Sequence, residues 1–70
     1  MISVPGRKST SNTLIESWDI GDCKDWCHTN PNCAAVYWQG GQCFLSSVGD
    51  TMINDASATW MYKHQDDTGL

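Results

Sequence analysis

The stretch CKDWCHTNPNCAAVYWQGGQC, residues 23–43, contains all four cysteines of this 70-residue chain, at separations of four, six and ten residues. Cys23 and Cys27 lie one helical turn apart, so a helix would direct both sulfur atoms to the same side. Between Cys33 and Cys43 an apolar run precedes two glycines, which predicts a β-hairpin with a two-residue turn. The stretch therefore predicts one helix joined to one hairpin through its cysteines.

The residues around this stretch set the limits of the predicted helix. Asp19 is a typical N-cap, and Asp22 stands three residues later, at the position used in a capping box. We expect the helix to run from about Ile20 to about Asn30, because Pro31 disfavours helical geometry in the residue before it. The predicted buried stripe consists of Ile20, Cys23 and Cys27, widened by Trp26.

The glycine pair fixes the register of the predicted hairpin, whose strands span residues 33–39 and 42–47. With two glycines in the turn, Gln39 pairs with Gln42. Strict alternation of side chains then defines two faces. The face toward the helix holds Val36, Trp38, Cys43 and Leu45, and the second face holds Ala35, Tyr37 and Phe44. Because the second face is also apolar, we expect that it is either covered by the N-terminal strand or a loop, or binds a ligand.

Strands are also predicted on both sides of the cysteine-containing stretch. Residues 13–18 form one and residues 59–64 another, while residues 2–4 form an edge strand that Pro5 ends, unless this terminus is frayed. Residues 48–57 are rich in turn formers and are predicted to form a loop. The predicted fold class is α+β, a small disulfide-stabilised domain with one helix packed on an antiparallel sheet.

Length and cysteine content indicate an oxidising compartment. A domain of 70 residues buries only about 60% of the surface that its unfolded chain exposes, so its core alone leaves it marginally stable. Disulfides compensate for this in secreted proteins and are rare in the reducing cytosol. We therefore expect an extracellular protein, secreted or at the cell surface. We also expect the chain to be a module of a longer protein that carries the secretion signal elsewhere.

The net charge of −4 and a pI near 4.6 restrict the choice of partner. Nucleic-acid binding needs a basic surface, so nucleic acid is excluded, and anionic membranes are disfavoured. No apolar run reaches the length of a membrane-spanning helix, so no membrane insertion is expected. The acidic charge also favours a neutral sugar over heparin as a carbohydrate ligand.

The four cysteines suit disulfides better than a metal site. Structural zinc sites use closely spaced ligand pairs; Cys23 and Cys27 qualify, whereas Cys33 and Cys43 are ten residues apart across the hairpin. Four cysteines allow three pairings. A nested pairing, Cys23 with Cys43 and Cys27 with Cys33, suits a helix that lies above an antiparallel hairpin. We expect no metal and no cofactor.

The sequence lacks the residue combination of an enzyme active site. Cysteines consumed in disulfides cannot act as nucleophiles, and no serine stands in a nucleophile-elbow motif. His28 and His64 have no evident carboxylate or base partner and are expected at the surface. The acidic residues show neither the paired carboxylates of a glycosidase nor the spacing of a calcium loop. We therefore predict that the protein is not an enzyme.

The aromatic residues suit either the core or a sugar-binding platform. A sugar site would combine aromatic rings with amide or carboxyl groups that form hydrogen bonds. Trp60 and Tyr62 alternate on the last predicted strand and therefore share a face. For each ring, core packing is favoured over sugar binding. The candidate ligand-binding residues, on or beside the second hairpin face, are Tyr37, Gln39, Gln42, Phe44, Asn54 and Asp55.

Several segments together resemble the PAN/Apple domain family. They are Cys23-x₃-Cys27, Asn30-Pro31-Asn32-Cys33-Ala34-Ala35, Gln42-Cys43-Phe44-Leu45, and the flanking SNTLI (residues 11–15) and WMY (residues 60–62). The resemblance implies an antiparallel sheet that cradles one helix, with Cys23–Cys43 and Cys27–Cys33 as core bridges. The chain departs from the Apple subgroup, which adds a third bridge between its termini, and from basic, heparin-binding relatives.

From the length of the chain we expect a single domain of this kind over residues 1–70, and from their composition we expect flexible ends at about residues 1–12 and 65–70. Two functions agree with the resemblance. The first is a non-catalytic extracellular binding module that mediates protein–protein or protein–carbohydrate interaction, monomeric when isolated and part of a larger protein. The second is a stand-alone secreted effector, an inhibitor or toxin, with residues 48–57 as its reactive loop.

Overall fold

The computed structural model describes residues 1–47 and 49–63 of the chain. These residues form one helix and one five-stranded antiparallel sheet. In chain order the elements are β1 (Ile2–Ser9), β2 (Thr13–Glu16), α1 (Ile20–Thr29), β3 (Ala35–Gln39), β4 (Gln42–Ser46) and β5 (Met52–Tyr62). The strand order is β1-β5-β3-β4-β2, so β1 and β2 are the edges of the sheet. The predicted α+β fold, one helix packed on an antiparallel sheet, is confirmed.

Helix α1 begins at the predicted N-cap. The Asp19 carboxylate accepts a hydrogen bond from the backbone N–H of Asp22, with 2.8 Å between oxygen and nitrogen. The helix ends at Thr29, one residue before the predicted end. Asn30 has extended backbone there, as expected for a residue that precedes proline.

One residue of the predicted buried stripe, Ile20, is not buried. Its side chain is 40% exposed, whereas Cys23 and Cys27 are fully buried and Trp26 is half-buried. The two cysteines are the points at which disulfides hold the helix to the rest of the chain. Ile20 is the first residue of the helix and lies almost a full turn before Cys23. The prediction that Ile20 is buried is therefore wrong.

The β3–β4 hairpin has the predicted register. Gln39 pairs with Gln42, and each further pair along the two strands follows the same alignment. Gly40 and Gly41 have φ angles of 58° and 79°. This left-handed backbone is what a two-residue hairpin turn demands, and glycine adopts it without steric strain. The first strand begins at Ala35, two residues later than predicted.

Two disulfides hold the helix, one to strand β4 of the hairpin and one to the turn that follows the helix. Cys23 is bonded to Cys43, with Cα atoms 5.4 Å apart, and Cys27 is bonded to Cys33, with Cα atoms 5.2 Å apart. These are the pairs that the family resemblance implies, and they leave no free thiol in the chain. Around them the core contains Val36 and Met61, with half-buried Met1, Ile15, Trp18, Trp26, Trp38 and Leu45 packed against it.

The N-terminal strand is longer than predicted. β1 continues through Pro5 as far as Ser9. Proline is tolerated in an edge strand, because the outward N–H groups of an edge have no ladder partner to lose. The pairing of β1 with β5 shifts register between Pro5 and Arg7, where Gly6 has a φ of 81°. The prediction that Pro5 ends the strand is therefore wrong.

The loop predicted at residues 48–57 is wrong from Met52 onward. This part of the chain belongs to β5, which runs from Met52 to Tyr62. Its turn-forming residues interrupt the pairing with β1: between the pairs Pro5–Thr59 and Arg7–Asn54, residues 55–58 stand opposite Gly6 alone. Val48 and residues 64–70, including the predicted strand end at His64 and the predicted tail 65–70, lie outside the described residues.

The surplus residues on β5 bend the two-stranded ribbon of β1 and β5 over the second face of the hairpin. The Lys8 ammonium nitrogen lies 5.1 Å from the centroid of the Tyr37 ring, and the Tyr37 hydroxyl donates a hydrogen bond to the Ser11 carbonyl oxygen at 2.6 Å. Tyr37 also has Phe44 and Trp60 beside it on the neighbouring strands, and it is 1% exposed. Ala35 lies beside Tyr62 and is fully buried. The second face is expected either to be covered or to bind a ligand. At its centre, around Tyr37, the N-terminal segment covers it.

Candidate functional site

A connected set of polar side chains lies at the turn end of the sheet, and we call it the Gln39 network. The Lys8 ammonium donates a hydrogen bond to the side-chain oxygen of Gln39 at 2.9 Å. The Gln39 amide donates to Asp55 Oδ2 at 2.8 Å and to the Ser57 hydroxyl oxygen at 2.7 Å. The Ser57 backbone N–H and hydroxyl donate to Asp55 Oδ1 at 3.0 and 2.6 Å. The network thus consists of Lys8, Gln39, Asp55 and Ser57.

The bulge in β5 assembles this network. Asp55 and Ser57 lie in the surplus segment of β5, and Lys8 lies just beyond the register shift in β1. Gln39 occupies the last position of β3 and pairs with Ala58. The bend brings these positions together although they are 16 to 31 residues apart in the chain.

Hydrogen bonding holds Asp55 in its ionised form. The Ser57 hydroxyl lowers the pKa of the Asp55 carboxyl below its ordinary value of 3.8, with further lowering from the Ser57 backbone N–H and the Gln39 amide. The positive charge of Lys8 acts in the same direction. Each donor stabilises the carboxylate more than the protonated carboxyl group, which is a weaker hydrogen-bond acceptor. The network therefore presents a fixed negative charge beside a positive one.

Replacing Ser57 with alanine is expected to raise the pKa of Asp55, because it removes the donor with the largest influence on it. The folded-state pKa is lowered, so the stabilising contribution is present above pH 3.8 and is lost as the pH falls through the folded pKa. Carboxyl NMR titration of the two proteins measures the difference. Ser3→Ala, at an exposed serine of β1, is the control and should leave the Asp55 pKa unchanged. Identical titration of Asp55 in the wild type and Ser57→Ala would contradict the assignment.

Tyr37 lies beneath this network and supports it. Its ring stacks on Phe44, with 4.7 Å between centroids and 9° between planes, and the Lys8 ammonium lies over the ring. Burial raises the pKa of Tyr37. At 1% exposure the ring offers no surface to a ligand. Its place is under Lys8, where it fixes the position of one hydrogen-bond donor of the network.

The other candidate ligand residues surround the network. Gln42 is exposed and pairs with Gln39 across the hairpin. Phe44 is half-buried. Asn54 is exposed and pairs with Arg7 on the far side of the bulge. Of the six candidates, the structure brings Gln39 and Asp55 into direct contact. Asn54 precedes Asp55 in the chain and, among the described residues, forms no side-chain hydrogen bond with the network.

Sequence reasoning missed Lys8 and Ser57. Lys8 could not be assigned because its position depends on β1 continuing past Pro5. The predicted sharing of a face by Trp60 and Tyr62 corresponds to a close stack, with 4.6 Å between ring centroids. The Trp60 indole N–H also donates to the Ser46 hydroxyl at 3.1 Å, which anchors this stack to β4.

The chemistry of the site is that of a binding surface with closely spaced donors and acceptors. Lys8 keeps further N–H donors beyond its bond to Gln39, and the Asp55 carboxylate keeps lone pairs beyond those used by Ser57. Within the described ranges no group of three or more His, Cys, Asp or Glu side chains is placed to hold a metal ion. No helix among residues 1–47 and 49–63 has the length and apolar character needed to cross a bilayer.

Comparison with known proteins identifies the family. A family model described as a PAN-like domain matches residues 1–59, which is most of the 70-residue chain. Searches of curated proteins and of solved structures returned no match. The matched region contains the helix, both disulfides and all five strands except the last residues of β5. The chain belongs to the PAN-like domain family.

Proposed function

We propose that this chain is a non-catalytic extracellular binding module, part of a larger secreted or cell-surface protein, that binds a neutral sugar. PAN-like domains are generally non-catalytic modules that bind proteins or carbohydrates in extracellular proteins. Both disulfides agree with folding in an oxidising compartment. With all four cysteines bonded, none of them supplies a nucleophile.

The observation that carries the sugar proposal is the Gln39 network beside an exposed Gln42. A sugar presents hydroxyl groups that both donate and accept hydrogen bonds, so it needs both kinds of partner within a few ångströms. The network offers an ammonium, an amide and a carboxylate in contact with one another. We define the Gln39 surface as this network together with Gln42, Phe44 and Asn54.

The charge of the chain supports a neutral ligand. The net charge of −4 opposes sulfated and other anionic polysaccharides at long range. Lys8 is engaged with Gln39 and Tyr37, and within the network Asp55 balances its charge. A neutral sugar therefore meets no uncompensated charge at this surface, whereas heparin is repelled at long range by the net negative charge of the chain.

The alternative of a stand-alone inhibitor or toxin has lost its main support. That hypothesis used residues 48–57 as an exposed reactive loop. Residues 52–57 belong to β5, where three of them pair with β1 and two take part in the Gln39 network. A segment held in this way is unsuited to act as a loop that inserts into a partner's active site.

A glycan array followed by chemical-shift mapping tests the proposal. We expect a neutral glycan to bind and to shift the amide signals of Gln39, Gln42 and Asp55. Gln42→Ala should weaken binding by about tenfold or less, the value of one hydrogen bond. Lys24→Ala, on the exposed surface of the helix, is the matched control and should bind as the wild type does.

Two results would contradict the proposal. A confirmed glycan that shifts only the outer helix residues Lys24, Asp25 and His28 would move the site away from the sheet. If no glycan binds, the proposal of a sugar ligand is wrong, and the protein-binding role of the family remains. The same mapping, repeated with extracellular protein partners, would then locate that role.

A further inference from the structure

We propose a second binding site on this chain, at the outer edge of β2: an extended, basic segment of a partner protein adds to the sheet there as a sixth strand. β2 pairs with β4 on one side, and no strand among the described residues pairs with its other side. An edge of this kind presents backbone N–H and C=O groups that a further strand can use. The site lies along β2 and does not use the Gln39 network, although Leu14 stands opposite Phe44 of the Gln39 surface. Glu16 pairs with Cys43 instead, so Glu16→Lys tests this edge apart from that surface.

The opposite edge of the sheet is protected, and β2 is not protected in the same way. β1 contains Pro5, which has no N–H to offer to a further strand. Proline in an edge strand disfavours the addition of another strand. β2 has the sequence TLIE, without proline or glycine, and two of its residues are β-branched. Its bulge, between Leu14 and Glu16, lies in the pairing with β4.

Exposed apolar side chains mark the same edge. In the described structure three large hydrophobic residues are prominently exposed, and two of them belong to residues 14–20: Leu14 at 49% and Ile20 at 40%. Leu14 lies in β2 opposite the half-buried Phe44, and Ile20 opens the helix shortly after β2 ends. Because β2 is only four residues long, an added strand gains few backbone hydrogen bonds. Burial of Leu14, which lies on β2 itself, would add to the affinity.

Charge selects the occupant. Residues 13–22 contain Glu16, Asp19 and Asp22, all exposed, and no Lys, Arg or His. A strand with basic side chains is therefore attracted to this edge. A second copy of the chain would place its own Glu and Asp side chains opposite these acids, and it carries the same net charge of −4. Charge repulsion therefore disfavours a second copy as the occupant. Residues 64–70 of the same chain contain two aspartates and no Lys or Arg, so charge disfavours them as well.

Strand addition is tested with a capped hexapeptide of alternating lysine and valine. We expect it to shift the amide signals of Thr13–Glu16 and to slow hydrogen exchange of the outward amides of β2. The matched probe is the same peptide with N-methyl groups on alternate backbone amides, which keeps the charge and blocks the ladder. It should bind about tenfold more weakly, because at least one or two backbone hydrogen bonds are lost.

Variants on the protein side locate the contact. Glu16→Lys and Leu14→Ser, both at exposed positions, should each weaken the binding of the unmodified peptide about fivefold. Ile53→Ser, at the third exposed hydrophobic residue, is the control and should leave binding unchanged. Equal binding of the two peptides, or shifts confined to other strands, would overturn the proposal. Dimerisation of the chain alone, with the β2 amides protected, would also overturn it and make a second copy the occupant.

Discussion

Replacing Cys23 and Cys43 together with alanine is expected to lower the free energy of unfolding by about 2–5 kcal/mol and to unfold most of the protein at body temperature. The bond closes a loop of 20 residues, for which the chain-entropy model gives about 3 kcal/mol. Both residues are also fully buried in the core, against which three of the four tryptophans pack, namely Trp18, Trp26 and Trp38. Since a 70-residue domain has little stability to lose, the effect is large. Chemical denaturation followed by tryptophan fluorescence measures it.

The other disulfide provides a matched control. Cys27 and Cys33 are six residues apart, so removal of their bond frees a shorter loop. The same model then gives about 2 kcal/mol, roughly 1 kcal/mol less than for the long loop. Both double variants remove two buried sulfur atoms and add no charge, which makes the difference between them a measure of loop length. A larger loss for Cys27→Ala/Cys33→Ala would contradict the argument.

The hairpin and the helix start could be predicted because their signals are local. The turn of the hairpin needs two residues with positive φ, and the adjacent Gly40 and Gly41 supply them. Once the turn is placed, alternation fixes every pair of β3 and β4. The N-cap is equally local, since Asp19 contacts an amide three residues away. Signals of this kind are complete within a few residues of sequence.

The course of β1 and β5 could not be predicted, because it depends on contacts between the two ends of the chain. Pro5 usually ends a strand, and Asn54, Asp55 and Ser57 usually form a loop. Here β1 is an edge strand, which tolerates proline, and the turn formers create a bulge inside β5. Each residue keeps its ordinary conformational preference. What the local sequence lacks is the information that residues 2–9 and 52–62 pair.

The candidate site also combines residues that local sequence signals predict with residues that only long-range contacts bring together. The sequence predicts Gln39 and Asp55 as neighbours because one lies on the hairpin and the other in a segment expected beside it. Their direct hydrogen bond, and the presence of Lys8 and Ser57, arise from the bend of the β1–β5 ribbon. Tyr37 was placed on the correct face of the hairpin, but whether that face is open depends on the same bend.

Replacing Tyr37 with alanine is expected to cost about 3–5 kcal/mol of unfolding free energy, the usual range for a buried aromatic residue. The ring is 1% exposed, stacks on Phe44 and lies under Lys8. Tyr37→Phe should cost only about 1 kcal/mol, because it keeps the stack and removes the hydrogen bond to the Ser11 carbonyl. Urea unfolding of the two variants measures both values.

The comparison of these variants decides whether the β1–β5 ribbon covers the second face in solution. If it does, Tyr37→Ala also frees Lys8, and the hydrogen exchange of Arg7–Ser9 and Met52–Asn54, the paired segments beyond the bulge, should accelerate together. Tyr62→Phe is the control, since the described residues show no hydrogen bond from its hydroxyl, and it should change stability by less than about 0.5 kcal/mol. A loss below about 1 kcal/mol for Tyr37→Ala would mean that the face is open, with Tyr37 available to a ligand after all.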